Sequence, residues 1–235
     1  PGTAGLGPGR GLGGKIRELR GRGLDVVLVI DATGSMSPYI EQAKKRLQSV
    51  MKVVTHLVPG ARFGVVAYKD YDADYGPDAV KVMKVSDDHQ AVREFIGQLV
   101  ATSGADEPEP IQEALAVVTD LKRMGWRPGR KWVVILVGDS TIHSSGRQAA
   151  FRHAQTFTKQ HRGTINVIDT GGASDQGQPR RTVQPDLARI AKEGGGSSFL
   201  LTQREAFWRH LIVSVFGQQY EQDVNTIIET LVEKE

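Results

Sequence analysis

The sequence predicts an α/β fold: a doubly wound, mostly parallel sheet with helices on both faces. Three observations carry that expectation. Val26–Ile30 and Trp132–Val137 are continuous apolar runs of strand length, as expected for central parallel strands. Segments with helical apolar spacing alternate with strand-like segments along the chain. Both apolar runs also end in acids, Ile30-Asp31 and Val137-Gly138-Asp139, and open α/β sheets place ligands at that carboxyl end.

The elements follow in order. Residues 1–22 read as a Gly/Arg-rich tail or linker, with residues 1–14 mostly Gly, Pro and small residues. Gly9-Arg10-Gly11-Leu12-Gly13-Gly14 matches a dinucleotide-binding pattern only formally, because no strand precedes it. After the first strand, Ser37 as N-cap and Pro38 at the first helical position open a helix. Its apolar stripe is Ile40, Ala43, Leu47, Val50, Met51, Val54 and Leu57, and Pro59-Gly60 ends it. Phe63–Tyr68 reads as a strand. Ala79–Val85 alternates, with Lys81 and Lys84 suiting an exposed edge.

Asp87 or Asp88 caps a short helix carrying Val92, Phe95, Ile96 and Leu99. A polar loop, Thr102 to Pro110, precedes a helix with Ile111, Ala114, Leu115, Val118 and Leu121. The strand Trp132–Val137 leads into Gly138-Asp139-Ser140-Thr141. A helix over about 146–161 and a strand over Thr164–Ile168 come next. Residues 170–184 read as a long loop. A helix over Pro185–Glu193 stops at Gly194 to Gly196, and Ser198–Leu201 is the last strand. Thr202 and Glu205 form a capping box for a helix carrying Phe207, Leu211 and Val215. Tyr220, Val224, Ile227, Ile228 and Leu231 give residues 218–235 the pattern of an amphipathic helix, which packs on its own domain or on a partner.

Composition narrows the function. The 235 residues carry 39% hydrophobic side chains, enough for a substantial core in one domain. A formal charge of +3 is too small to imply nucleic acid. Much of the basic excess lies near the N-terminus (Arg10, Lys15, Arg17, Arg20, Arg22), against Glu18 alone. There are no cysteines, which excludes disulfides, thiol nucleophiles and Cys-ligated zinc. No run reaches the length of a membrane span, and no signal peptide is visible. The start at Pro1 reads as a processed or truncated chain. A Gly-rich lead suits a tether from an upstream anchor, so a bacterial envelope, periplasmic or secreted location is expected ahead of the cytoplasm.

The chemistry concentrates in three loops. Asp31, Thr33 and Ser35 fall on alternate positions, and Gly34 lets the backbone bend between the hydroxyls. A carboxylate and two hydroxyls at a strand end suit a hard cation such as Mg²⁺, with Mn²⁺ or Ca²⁺ as alternatives. Adjacent strands would bring Asp139 beside Asp31, and two such carboxylates repel unless a cation sits between them. The oxygen-rich loop Thr102-Ser103-Gly104-Ala105-Asp106-Glu107-Pro108-Glu109 lies between them in sequence. The positive end of the helix starting at Ser37-Pro38 points at the same place.

These residues resemble the von Willebrand factor A family. Asp31-Ala-Thr33-Gly-Ser35 is similar to the first loop of its metal-ion-dependent adhesion site, with Thr33 for the first Ser. Asp139 in Leu136-Val137-Gly138-Asp139-Ser140 matches the third loop. The second loop departs from the usual Gly-Gly-Thr. Gly104-Ala105-Asp106-Glu107-Pro108-Glu109 is similar to a variant in the hemicentin-like and alpha-kinase-associated branch, which Ala67-Tyr68-Lys69-Asp70-Tyr71 and Asp139-Ser-Thr-Ile-His143 also resemble. The resemblance covers residues 23–217. It implies a six-stranded sheet with one antiparallel edge strand. It also implies a metal set of Asp31, Thr33, Ser35, Asp106 and Asp139, with Thr102 or Ser103 as substitutes for Asp106. An added acid at position 106 would strengthen metal binding and leave the metal less electrophilic. Such domains are binding modules, not enzymes, and an acidic side chain of a protein partner fills the open metal position. Met36, Asp70, Tyr71, Glu107, Ser140 and His143 are then candidates for contacting the partner, with residues 69–78 and 170–184 as selectivity loops.

Other readings stay beside this one. Asp106 also suits a helix N-cap before Pro108, and Asp139 a turn. Asp70, Asp72, Asp74 and Asp78 lack the twelve-residue calcium-loop pattern and read as a solvated surface. His153 and His161 lack zinc spacing, and Trp126, Trp132 and Trp208 read as packing. A Mg²⁺-dependent phosphoryl-transfer enzyme would need Asp31 as nucleophile, yet Thr33 stands where a second Asp belongs. A third reading is a scaffold of this family that no longer needs metal.

Overall fold

The computed structural model describes residues 11–71, 75, 79–102, 108–171, 179–203 and 206–231, with residues 47 and 48 described by their backbone alone. Six strands form one sheet: β1 (Leu24–Asp31), β2 (Arg62–Tyr68), β3 (Val80–Ser86), β4 (Lys131–Gly138), β5 (Thr164–Asp169) and β6 (Gly195–Leu200). Their order is β3-β2-β1-β4-β5-β6, and only the β2–β3 pairing is antiparallel. The expected edge strand is therefore β3, where Lys81 and Lys84 are exposed.

Alternation along the central strands builds two cores. Val26, Leu28 and Ile30 face one, with the helices α1 (Leu12–Arg22), α2 (Ser37–Leu57), α3 (His89–Gly97), α8 (Phe207–Phe216) and α9 (Glu221–Leu231). Val27 and Val29 face the other, with α4 (Ile111–Thr119), α5 (Leu121–Met124), α6 (Arg147–Lys159) and α7 (Pro185–Glu193). A strand apolar on both faces is what burial on both sides requires. Among the described residues no helix is long and apolar enough to cross a membrane.

Several elements differ from expectation. Residues 12–22, expected as tail, form α1, because Leu12 and Leu19 are buried in the first core. Arg20 Nε also donates to Leu57 O at 2.7 Å, tying α1 to the end of α2. Ser37 is the first residue of α2 rather than its cap, because a single 3-10 turn, Gly34–Met36, precedes the helix. The helix expected through Leu121 breaks at Asp120, whose carboxylate accepts from Lys122 N and Arg123 N and so caps α5. β6 begins at Gly195, inside the glycines expected to stop α7. Thr202 does not cap α8, which starts at Phe207 with Ala206 in that position; Glu205 lies outside the described residues. Residues 221–231 pack on their own domain, with Val224 and Ile228 fully buried.

The opposite end of the sheet from the strand-end acids is held by a buried ion cluster. Asp25 is fully buried and accepts from Arg62 Nε at 3.0 Å, Arg62 Nη2 at 2.6 Å and Arg130 Nε at 2.6 Å. Charge-assisted bonds of this kind are among the strong ones in a folded protein.

Candidate metal centre

The strand ends assemble the site. β1 and β4 are parallel neighbours, with Ile30 opposite Val137, so their C-terminal loops share one edge. β1 ends at Asp31 and the 3-10 turn projects the next residues across that edge. Thr33 N donates to Asp31 Oδ1 at 2.8 Å, and Thr33 Oγ1 donates to the same oxygen at 2.6 Å. Thr33 Oγ1 lies 3.4 Å from Ser35 Oγ, and Ser35 Oγ donates to Asp139 Oδ1 at 3.4 Å. Four oxygen-bearing side chains thus form one continuous chain of contacts. Asp31 and Thr33 are buried, Asp139 is half-buried and Ser35 is exposed.

One atom in this chain is unsatisfied. Asp31 Oδ2 is buried and has no hydrogen-bond partner. Burial pushes the Asp31 carboxyl up from 3.8 to about 7; the two Thr33 bonds pull it down, and Asp139 and Asp70 add to the rise. Burial also raises Asp139, opposed by the Ser35 bond and by Arg180. Tyr68, at the end of β2, has a fully buried hydroxyl with no partner, and burial and then the charges of Asp31, Glu109 and Asp139 hold its proton in place. A Cβ on Gly138 would stand 2.7 Å from that hydroxyl and 3.5 Å from Asp31 Cβ, so glycine is what lets β4 pass here.

The donor set fits a hard divalent cation. A buried carboxylate oxygen that lacks a proton donor, two hydroxyls and a second carboxylate are oxygen ligands of the kind Mg²⁺ takes while keeping several waters. Among the described residues no three His, Cys, Asp or Glu side chains converge as a metal group. The hydroxyls of Thr33 and Ser35 are therefore needed to complete a set.

The other expected residues divide. Asp106, Glu107 and Ser103 lie outside the described residues. Thr102 accepts from Lys69 Nζ at 2.6 Å, and an ammonium on that oxygen disfavours a second cation there, against the expectation that Thr102 could stand in for Asp106. Asp70 lies 3.6 Å from His143 Nε2, and Tyr71 stacks obliquely on the His143 ring at 5.6 Å. The Tyr71 hydroxyl donates to Glu113 Oε1 at 3.0 Å and accepts from Gln112 Nε2 at 2.7 Å, and the residue is 46% exposed. These three form a patch on the loops around the site. Met36 and Ser140 do not belong to it. Met36 is fully buried and its sulfur accepts from Thr170 Oγ1 at 3.3 Å, while Ser140 is buried and donates to Thr141 O at 3.4 Å. Neither side chain offers surface to a partner.

Sequence reading missed Asp169. It ends β5 directly opposite Gly138, and it is fully buried. Unlike Asp31 it is fully engaged: Gln184 N donates at 2.7 Å, Gly171 N at 2.9 Å, and Arg180 Nη2 pairs with it. The signal was an apolar strand ending in an acid, the same one that marked Asp31.

Residues 26–141 match the model of the von Willebrand factor type A domain. These residues belong to that family. Over 125 residues this chain is 31% identical to the alpha-protein kinase vwkA of Dictyostelium discoideum. The match covers 52% of this chain and 19% of that protein, so this chain spans about a fifth of the relative's length. Among solved structures, the conserved hypothetical protein BatB from Bacteroides thetaiotaomicron superposes with a TM-score of 0.56 at 14% identity, covering 90% of this chain and 100% of that one. The pilus adhesin SpaC from Lactobacillus rhamnosus GG superposes in its open conformation with a TM-score of 0.58 at 12% identity, over 88% of this chain and 30% of that one. At these identities the structures speak for the shared fold. Domains of this family generally serve as protein-interaction modules.

Proposed function

We propose that this von Willebrand factor A domain recognises a protein partner through a divalent cation, Mg²⁺ or, in its place, Mn²⁺ or Ca²⁺. Asp31, Thr33, Ser35 and Asp139 would hold the ion, with Asp106 as a further ligand from the second loop. The observation that carries this reading is Asp31 Oδ2, a buried carboxylate oxygen without a hydrogen-bond partner beside three further oxygen donors. A buried carboxylate in that state is costly unless a cation compensates it. When bound, the ion would supply a Lewis-acidic position open to an acidic side chain of the partner.

The chain's own residues do the rest. Thr33 holds one oxygen of Asp31 in place through two hydrogen bonds and so aims the other oxygen at the site. Exposed Ser35 sits between Thr33 and Asp139 at the mouth of the site. Tyr71, Asp70 and His143 form the patch beside it that an approaching partner meets. We propose a binding module rather than an enzyme, in keeping with the interaction role general to this family. A bacterial envelope, periplasmic or secreted location belongs to the same reading.

Capture of partners from a source lysate tests it, using wild type and Asp31→Ala, each with Mg²⁺ or with EDTA. Partners lost under both perturbations support the proposal. Partners retained equally in all four arms contradict it, as would phosphate-ester turnover by the wild type that Asp31→Asn abolishes.

A further inference from the structure

A second constellation lies far from the metal centre. The C-terminal half of α2 and the first turns of α3 border an open groove of about 370 Å³, lined by Met51, Lys52, Thr55, His56, His89 and Arg93. Lys52 and His56 are four residues apart on one helix, and His89 and Arg93 are four apart on the other. At that spacing side chains share a helix face, so each helix turns a pair of nitrogen-bearing groups into the groove. No acid is among the described lining residues. Two neighbouring acids are engaged elsewhere. Asp88 caps α3 by accepting from Gln90 N and Ala91 N, and Glu94 accepts from Gln90 Nε2 at 2.8 Å.

The groove is ordered rather than a loose array of surface cations. His89 Nε2 donates to Ala61 O at 3.2 Å, and the imidazole stands edge-on to Phe63 at 5.3 Å. Those contacts fix the ring. Thr55 Oγ1 is buried without a hydrogen-bond partner, although a helical Thr normally returns its proton to the carbonyl one turn back. The C-terminal carbonyls of α2, which would repel an anion, are already engaged: Arg20 Nε donates to Leu57 O at 2.7 Å and Arg20 Nη2 to His56 O at 3.4 Å.

We propose that this groove binds a phosphate-bearing anion. Arg93 and Lys52 supply charge, with the guanidinium able to take two phosphate oxygens at once. His56 and the Thr55 hydroxyl add donors beside them. The groove lies roughly 20 Å or more along α2 from its start at the metal loop, at a rise of about 1.5 Å per residue. Anion and metal-dependent partner therefore bind without competing. The phosphate belongs either to a soluble ligand or to a lipid headgroup.

Calorimetric titration with pyrophosphate, in EDTA at low salt, tests this without involving the metal centre. One-site binding is expected, weakened about tenfold or more by Arg93→Glu and by Lys52→Glu. Lys122→Glu, an exposed charge reversal on α5, should leave it within about twofold. The exposed positions chosen keep the variants folded, and circular dichroism checks that they are. Sedimentation with phosphatidylcholine vesicles, with and without phosphatidylinositol phosphate, then separates the sources. Retention that Arg93→Glu abolishes assigns the headgroup, and pyrophosphate binding without retention assigns a soluble ligand. Absence of pyrophosphate binding overturns the proposal. So does equal weakening by Lys122→Glu, which would mean only diffuse charge attraction.

Discussion

Ser35 Oγ and Asp139 Oδ1 lie 3.4 Å apart across 104 residues of sequence. That contact joins the loop after β1 to the loop after β4, and it exists because the two strands are parallel neighbours with their ends in step. It converts two strand-end motifs into one site. It also sets Asp139 against Asp31, a buried carboxylate whose charge the two Thr33 hydrogen bonds only partly compensate.

Asp31→Asn should therefore stabilise the metal-free protein. The amide keeps an oxygen for the two Thr33 bonds and removes the buried charge. Since one pKa unit corresponds to about 1.4 kcal/mol, a gain of roughly 1–3 kcal/mol at pH 8 is expected. Urea unfolding in EDTA measures it. A large loss of stability instead would mean that Asp31 is held by a compensating contact.

Gly138→Ala should disturb the site from behind. The added methyl would stand 2.7 Å from the buried Tyr68 hydroxyl and within contact of Asp31. Overpacking of this kind costs about 1–3 kcal/mol, and it should also weaken Mg²⁺ binding because the displaced atoms border Asp31. Melting temperature and a Mg²⁺ titration check the two effects separately.

Asp25→Ala should do the opposite, costing stability and sparing the metal. It strands Arg62, which is buried, beside Arg130. Breaking a buried pair by removing one partner costs about 3–5 kcal/mol. The Mg²⁺ response of the surviving folded protein should be unchanged, because this cluster sits at the far end of the sheet.

Two histidines give the protein a pH response. Burial is the main cause that lowers His153 and His210 below 6.5. The folded state thus holds them neutral where the unfolded chain takes up protons. Stability contributed this way is present above 6.5 and is lost as pH falls from there through the lowered folded values. Asp31, raised to about 7, works in the opposite direction in metal-free protein, so the test uses the Asp31→Asn background. Its melting temperature should fall between pH 7 and pH 5.5, and His153→Gln with His210→Gln should flatten that fall.

Most of the fold was legible because the central strands are buried on both faces. Val26–Ile30 and Trp132–Val137 needed no context to be read as strands. β6 was less legible at its start, since Gly195 and Gly196 look like a stop. Glycine is there because a Cβ on Gly196 would stand 2.2 Å from Ile165 O, a backbone approach invisible before the strands pair. α1 was missed because its Gly-rich composition hides two residues, Leu12 and Leu19, that only the folded core explains. In the site, Asp31, Thr33, Ser35 and Asp139 were readable as strand-end oxygens. Met36 and Ser140 face inward although they follow candidate ligands in sequence, because adjacency says nothing about which way a turn sends a side chain. Asp169 was passed over although it repeats the strand-end acid, and only its three donors distinguish its settled role from that of Asp31.

The central claim is that these loops hold a divalent cation, and a Mg²⁺ titration followed by thermal unfolding tests it most directly. A ligand that binds only the folded state must raise stability, by about 2.7 kcal/mol at a hundredfold excess over its Kd. Wild type should melt higher with rising Mg²⁺, and Asp31→Ala should not respond. Identical melting of the wild type in Mg²⁺, Mn²⁺, Ca²⁺ and EDTA would contradict the account and leave the domain a scaffold without metal.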